Sequence, residues 1–313
     1  MVSRRDFLNG ALWGGVGLAL GLNGPARAAD KATGEAMAGD ALRTRAIPAT
    51  GQTLPVIGAG TSGSFVADIG SDKYRRLKDV MTLFFDGGAT VFDTSPNYGG
   101  ADRVLGALLE EGGWRDRCFL ATKIAADSRA AAERQWAGSL EALRTDHVEL
   151  LQVHNLRHWK TQLPYARELK EQGKTKYVGV THYLQRGLDE MAAILRDEPL
   201  DFIQINYSVN APEAAREVLP LARDKGVAVL INRAFDDGDL FARVKGKPLP
   251  GWAAEVGAQS WAQLFLKFAI SHPAVTAVIP ATSKPEHQLD NLNAGRGGLL
   301  SEAQQRELMT MDW

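Results

Sequence analysis

The chain has 313 residues, of which 45% are hydrophobic and 23% are charged, an ordinary composition for a globular protein with a sizeable core. Its formal net charge of −1 excludes the strong positive field that attracts nucleic acid or an acidic membrane surface, so we expect no nucleic-acid partner. Cys118 is the only cysteine, which excludes an intramolecular disulfide and a zinc cluster of thiolates. Its apolar surroundings predict a buried strand residue.

Residues 1–28 have the pattern of an export signal. The pair Arg4 and Arg5 forms a twin-arginine signature, and an Ala-Arg-Ala sequence fits cleavage near Ala28. Such signals are read by machinery that exports proteins already folded. We therefore predict a periplasmic protein whose partners include the twin-arginine export machinery. The apolar core of residues 11–22 is too short to span a bilayer comfortably, and no stable membrane anchor is expected.

After a polar lead at residues 29–44, the segment 45–313 alternates short apolar runs with amphipathic ones. Strands are predicted at residues 56–60, 90–93, 118–123, 149–153, 177–181, 202–205, 228–231 and 277–280. Helices are predicted at residues 71–86, 101–111, 130–143, 162–172, 185–195, 212–225, 261–271 and 285–294. Unbroken apolar strands are typical of parallel sheets covered on both faces, and eight such units favour a single-domain (β/α)₈ barrel. A doubly wound sheet would also alternate, but no Gly-x-Gly-x-x-Gly follows the first strand. The turn signal Thr50-Gly51 predicts an N-terminal hairpin at residues 47–55 across the barrel floor.

The most informative segment is residues 91–100, Val-Phe-Asp-Thr-Ser-Pro-Asn-Tyr-Gly-Gly. Asp93 ends a strand, and Tyr98 follows on a turn that leads into a helix. In a barrel, both side chains would lie at the mouth where catalytic residues gather. On the segment alone, Asp93 could instead cap the helix and Tyr98 could simply pack on it.

Other strand ends are also polar, and two of them matter most for chemistry. Lys123 ends the third strand and His154 follows the fourth. Singly, Lys123 could extend to solvent and His154 could be a core histidine. Together with Asp93 and Tyr98 they form a set that can protonate a carbonyl oxygen, because an ammonium stabilises a phenolate and a histidine can hold the oxygen. None of them is a hydride source, so a reduction would need a nicotinamide.

These residues resemble the aldo-keto reductases, a (β/α)₈ family that uses nicotinamide cofactors. Residues 92–99 resemble the family pattern F-D-T-A-x-x-Y-G, and the resemblance extends over residues 47–294. Residues 121–123 and 150–154 look like the strands that carry the family's lysine and histidine. The resemblance implies a catalytic tetrad of Asp93, Tyr98, Lys123 and His154, with Tyr98 as the proton donor and Asp93 as the support of Lys123.

The resemblance also implies a nicotinamide cofactor held by five strand ends and the helix after the last one. The implied residues are Gly60, Thr61, Thr181, His182, Gln204, Asn232, Arg233, Thr282, Lys284, His287, Asp290 and Asn291. Among these, Thr181 and Gln204 match positions that hold the carboxamide, and Asp290 and Asn291 match adenine contacts.

Several cofactor positions depart from the family pattern. His182 replaces an amide, and Asn232 stands where an aromatic ring commonly stacks on the nicotinamide. Ala281 and His287 stand where basic residues commonly bind the 2′-phosphate, although Lys284 supplies a nearby positive charge. NADP is the expected cofactor, and NAD is the alternative.

The resemblance therefore predicts an NAD(P)-dependent enzyme that interconverts a small-molecule aldehyde or ketone and an alcohol, with cofactor loaded before export. The departures motivate an alternative, a periplasmic nicotinamide-binding or regulatory barrel that turns over slowly or not at all. A metal-dependent barrel hydrolase is a third alternative. Its candidate ligands Asp146, His147, His154 and His158 lack a convincing spacing, so no metal site is predicted.

Overall fold

The structure, a computed structural model, describes residues 41–311. The predicted export signal and residues 29–40 of the polar lead lie outside this part of the chain. Within residues 41–311, no helix has the length and apolar character needed to cross a membrane.

Eight parallel strands follow one another around a barrel in their order along the chain. They are β3 (Ala59–Gly60), β4 (Val91–Asp93), β5 (Phe119–Ile124), β6 (Val148–Val153), β7 (Thr175–Thr181), β8 (Phe202–Asn206), β9 (Ala228–Asn232) and β10 (Ala277–Val278), preceded by the hairpin strands β1 (Thr44–Ala46) and β2 (Thr53–Pro55). The N–H of Gly58 donates to the carbonyl of Val278 at 2.8 Å, which joins the first strand to the last. The predicted (β/α)₈ barrel is confirmed, and the sequential strand order excludes the doubly wound sheet.

The N-terminal hairpin is also confirmed. Strand β1 pairs with β2 in antiparallel register, and Gly51 adopts a positive φ of 73° in the turn between them. Ile47 and Leu54 are buried against the inward-facing residues at the starts of the barrel strands. The hairpin therefore closes the end of the barrel opposite the mouth.

Seven helices correspond to predicted ones: α1 (Asp72–Asp86), α2 (Ala101–Gly112), α3 (Arg129–Leu143), α4 (Trp159–Glu171), α5 (Leu188–Asp197), α8 (Trp261–Ser271) and α9 (Pro285–Ala294). The helix predicted at 212–225 is shorter, because only α6 (Val218–Asp224) is α-helical and a separate 3₁₀ turn precedes it. Pro220 explains the break, since its ring lacks an N–H and clashes with the carbonyl four residues earlier. Proline is accepted in the first turn of a helix, which is where Pro220 lies. Two short helices, α7 (Asp239–Arg243) and α10 (Glu302–Thr310), were not predicted.

Side chains alternate along each strand between the barrel interior and the layer under the helices. On β4, Val91 points inward and Phe92 points outward, where its ring centroid lies 4.4 Å from that of Phe84. Asp93, one residue further, points inward again. The same alternation makes the last inward-facing residues of several strands polar, while those below them are apolar.

Candidate active site

A polar layer lies at the mouth of the barrel, directly above the apolar interior. Its inward-facing members are Asp93 on β4, Lys123 on β5, Gln152 on β6 and Gln204 on β8. Strand register places them together, because Lys123 is the Cα partner of Gln152. Each of these side chains is buried.

Asp93 and Lys123 form an ion pair at the centre of this layer. Lys123 is 1% exposed and Asp93 is 2% exposed, so neither charge is shared with solvent. The ammonium also donates to the carbonyl of Thr94 at 2.8 Å. The second oxygen of Asp93 accepts from Gln152 Nε2 at 3.0 Å and from Gln204 Nε2 at 2.8 Å. Both carboxylate oxygens and the ammonium are thus satisfied within the protein, as a buried pair requires.

This geometry decides two alternatives left open by the sequence. Asp93 does not cap the following helix, because α2 begins after Gly100 without any side-chain cap. Lys123 does not extend to solvent. Burial by itself would lower the pKa of Lys123, but the Asp93 carboxylate and the Tyr98 hydroxyl outweigh it, so the pKa of Lys123 is raised and the ammonium stays charged.

Tyr98 lies above the ion pair on the loop after β4. Its N–H donates to the carbonyl of Ser95 at 3.1 Å, which folds the loop back over the mouth. The Lys123 ammonium lies 5.1 Å from the centroid of the Tyr98 ring. The ring also meets His154 edge-on, with centroids 5.8 Å apart. All four residues of the predicted tetrad therefore converge at one point.

His154 follows β6 and is 8% exposed. Burial, together with the positive charges of Lys123 and Arg157, lowers its pKa to about 3, so its imidazole is neutral at physiological pH. Its Nδ1 lies 3.2 Å from the hydroxyl of Ser95. The chain leaves His154 in a tight turn, held by a hydrogen bond from the N–H of Asn155 to the hydroxyl of Thr181 at 3.0 Å.

The residues predicted to hold the nicotinamide lie around the same mouth, but several already interact with one another. The side-chain nitrogen of Gln204 donates to the Asp93 carboxylate. The side-chain oxygen of Gln204 accepts from Asn232 Nδ2 at 3.3 Å. Thr181 accepts from Asn155, and the ring of His182 turns back to Leu184. The sequence predicts Gln204 as a cofactor contact alone, whereas the structure gives its amide a hydrogen bond to the Asp93 carboxylate.

A nicotinamide carboxamide nevertheless fits the mouth. The side-chain oxygens of Asn206 and Asn232 are buried and lack hydrogen-bond partners within residues 41–311. These two residues are directly paired across β8 and β9. A carboxamide offers two N–H donors, which would satisfy such acceptors.

The residues predicted for the rest of the cofactor lie on a neighbouring side of the barrel. Gly60 pairs with Asp93, and the Thr61 N–H donates to the Asp93 carbonyl at 3.0 Å. Thr282 is buried and its hydroxyl accepts from the N–H of Lys284 at 3.1 Å.

Among the predicted cofactor residues that lie further from Asp93, some side chains are exposed and others already have partners within the protein. Lys284 and His287 are exposed, while Asn291 is buried. The Asp290 carboxylate accepts from Ser260 at 2.7 Å and from Gln263 at 2.6 Å. Arg233 forms an ion pair with Asp237 at 2.9 Å. Asp290 and Arg233 therefore already have partners within the protein.

The sequence pattern of the Aldo/keto reductase family matches residues 56–311. The chain belongs to this family. It is 30% identical over 181 residues to the aldo-keto reductase YhdN of Bacillus subtilis, a match that covers 52% of each chain. It is 28% identical over 212 residues to L-galactose dehydrogenase of Arabidopsis thaliana, covering 60% of this chain and 64% of that one. The chain thus spans about half to two thirds of the length of these relatives.

The fold of this aldo/keto reductase family member is also that of solved structures. A crystal structure of an aldo-keto reductase from Klebsiella pneumoniae in complex with NADPH aligns with a TM-score of 0.69 at 23% identity. The alignment covers 82% of this chain and 91% of that one. A holo aldo-keto reductase from Bacillus halodurans aligns with a TM-score of 0.68 at 20% identity over 85% of this chain and 95% of that one.

Two residues of the family member's site escaped sequence reasoning. Gln152 lies within the apolar run Leu-Leu-Gln-Val, and inward alternation from Leu150 would have placed it beside Asp93. Ser95 stands out in the sequence only as part of the motif, yet it contacts His154. The candidate metal ligands lie in different environments: His147 is exposed and its Nδ1 lies 2.6 Å from Asp146 Oδ1, whereas His154 is buried. No group of three or more possible ligands occurs within residues 41–311.

We expect Asp93→Asn to lower the free energy of unfolding by about 3–5 kcal/mol, because it leaves the Lys123 ammonium buried without a counter-charge. In the native protein the pKa of Lys123 is raised, so its contribution is present below the ordinary lysine pKa of 10.5 and is lost as pH rises through the folded value. In the variant, unopposed burial lowers the pKa of Lys123, so stability should rise as pH approaches the ordinary lysine pKa of 10.5. Urea unfolding below this pH should show a constant stability for the native protein and a rising one for the variant.

Glu110→Gln is the matched control, because it removes an exposed ion pair with Arg144 and should cost less than about 1 kcal/mol. Adding Lys123→Met to Asp93→Asn should recover part of the lost stability. A loss from Asp93→Asn no larger than the control's would contradict the buried pair.

Proposed function

We propose that this protein is an oxidoreductase that interconverts an aldehyde or ketone and an alcohol with a nicotinamide cofactor, and that it prefers NADP to NAD. The observation that carries the proposal is the position of Tyr98 over a buried, fully satisfied Asp93–Lys123 pair, beside a neutral His154. Family membership supports the same reaction class.

The chain's own residues supply the proton that the carbonyl oxygen receives and the hydrogen bond that holds this oxygen. Tyr98 donates its hydroxyl proton to the carbonyl oxygen as it becomes an alcohol. The Lys123 ammonium stabilises the phenolate left behind, and Asp93 keeps that ammonium charged and fixed. Neutral His154 donates a hydrogen bond to the same oxygen without competing as an acid. A reduced nicotinamide, when bound, supplies the hydride that no side chain can provide.

Substituting Tyr98 by Phe tests the proton donor. The ring and its packing remain, while the hydroxyl is lost, so we expect kcat for carbonyl reduction to fall by about 100-fold or more. The dissociation constant of NADPH, measured by fluorescence titration, should change by less than about threefold. Tyr165→Phe is the control, since this buried tyrosine lies on α4. Full turnover by Tyr98→Phe would remove Tyr98 from its role.

A second candidate function, a nicotinamide-binding barrel with little or no turnover, is favoured by one observation. The amide of Gln204 has partners for both its nitrogen and its oxygen, Asp93 and Asn232, so less of it is available to a cofactor. Tight NADPH binding by the native protein with no reduction across a panel of aldehydes and ketones would support this candidate.

The export signal at residues 1–28 motivates a further part of the proposal, that the cofactor is bound in the cytoplasm and carried to the periplasm inside the folded protein. Mass spectrometry of protein purified from the periplasm should find bound NADP. Lys284 is exposed at the start of α9, where its charge can contact a 2′-phosphate.

We therefore expect Lys284→Ala to carry less NADP than the native protein, while Lys245→Ala, which removes an exposed lysine elsewhere, carries the same amount. Nucleotide-free protein from the periplasm would contradict loading before export, and NAD in place of NADP would contradict the phosphate preference.

A further inference from the structure

The hydroxyl of Ser95 is buried beside the catalytic histidine. Ser95 is fully inaccessible to solvent, and its Oγ lies 3.2 Å from Nδ1 of His154. The same oxygen accepts a hydrogen bond from the N–H of Asn97 at 3.3 Å. Ser95 also stands where the family pattern quoted above has alanine, a residue that could not make this contact.

Counting protons assigns the direction of the hydrogen bond. A serine hydroxyl has one proton to donate and two lone pairs to accept with. Asn97 uses one lone pair, and the only acceptor found for the Ser95 proton within residues 41–311 is Nδ1 of His154. Leaving that proton unpaired in a buried site would cost about 1–3 kcal/mol. The hydroxyl therefore donates to Nδ1.

This hydrogen bond determines whether the other ring nitrogen, Nε2, carries a proton. The His154 ring is neutral, so it has one proton, and a ring that accepts at Nδ1 must carry it on Nε2. Nε2 makes no hydrogen bond within the described part of the chain, and the ring meets Tyr98 edge-on. The opposite tautomer would present a bare lone pair at the mouth, and that lone pair would repel a carbonyl oxygen.

We propose that Ser95 is a positioning residue that fixes the tautomer of His154, so that Nε2–H points to the oxygen that receives the proton of Tyr98. The inference rests on the proposed carbonyl chemistry for its purpose, but the tautomer itself is a property of the protein alone. The hydrogen bond from the N–H of Asn155 to the hydroxyl of Thr181 also helps to position the His154 ring, because it fixes the turn that follows His154.

Nitrogen-15 NMR of the purified protein, labelled at histidine, tests the tautomer directly. His154→Gln identifies the signals by their loss among the six histidines. We expect Nδ1 at the shift of an unprotonated nitrogen and Nε2 at that of a protonated one, unchanged between about pH 5 and pH 8 because the pKa lies far below this range. A protonated Nδ1 in the native protein would overturn the proposal, whether or not the protein turns over a carbonyl.

Variants test the consequence for the reaction. Ser95→Ala should move both nitrogen signals toward the average of the two tautomers and lower kcat roughly tenfold, the effect of one hydrogen bond. The KM for NADPH should stay unchanged. Ser95→Thr retains the hydroxyl and should restore the native shifts and most of kcat. Native kcat and native shifts in a folded Ser95→Ala protein would contradict the role of Ser95. Failure of the native protein to reduce any carbonyl would contradict only the proposed function.

Discussion

Everything at the mouth of this barrel depends on keeping one ammonium and one carboxylate charged where water is excluded. Burying ions costs several kcal/mol each, and only mutual attraction together with complete hydrogen bonding offsets it. The Asp93–Lys123 pair meets this condition through Thr94, Gln152 and Gln204. Because each partner is itself held by a strand, the charges have little freedom to move, and Tyr98 lies above a fixed positive charge.

The barrel produces this arrangement by simple alternation. Inward-facing residues are apolar at the strand starts and polar at the strand ends, as Val91 and Asp93 show on β4. The apolar layer, closed from below by Ile47 and Leu54, keeps the dielectric low beneath the pair. In the proposed reaction, the same low dielectric would strengthen the interaction between Lys123 and the Tyr98 phenolate. Stability and the proposed chemistry thus depend on the same residues.

Much of this could be predicted from the sequence. The apolar runs and the polar residues that follow them predicted the barrel and the four residues that converge at its mouth. Gln152 has a signal only when the inward alternation from Leu150 is combined with the neighbouring strand, because its partner Asp93 is distant along the chain. The helix predicted at 212–225 is too long because the pattern alone takes no account of Pro220.

Side-chain competition was the part that motifs could not reveal. Gln204 has the identity expected of a cofactor contact, yet its nitrogen donates to Asp93. Asp290 likewise accepts from Ser260 and Gln263. Such occupancy depends on three-dimensional neighbours, which a sequence motif does not record.

Deuterium placed at both C4 positions of reduced NADP shows whether the protein transfers a hydride to a carbonyl carbon. The purified protein is mixed with this cofactor and with aliphatic and aromatic aldehydes and ketones, and the products are examined by NMR. We predict an alcohol that carries deuterium on the former carbonyl carbon, with the hydroxyl proton drawn from solvent by way of Tyr98. Tight cofactor binding without transfer of deuterium to any carbonyl would contradict this prediction.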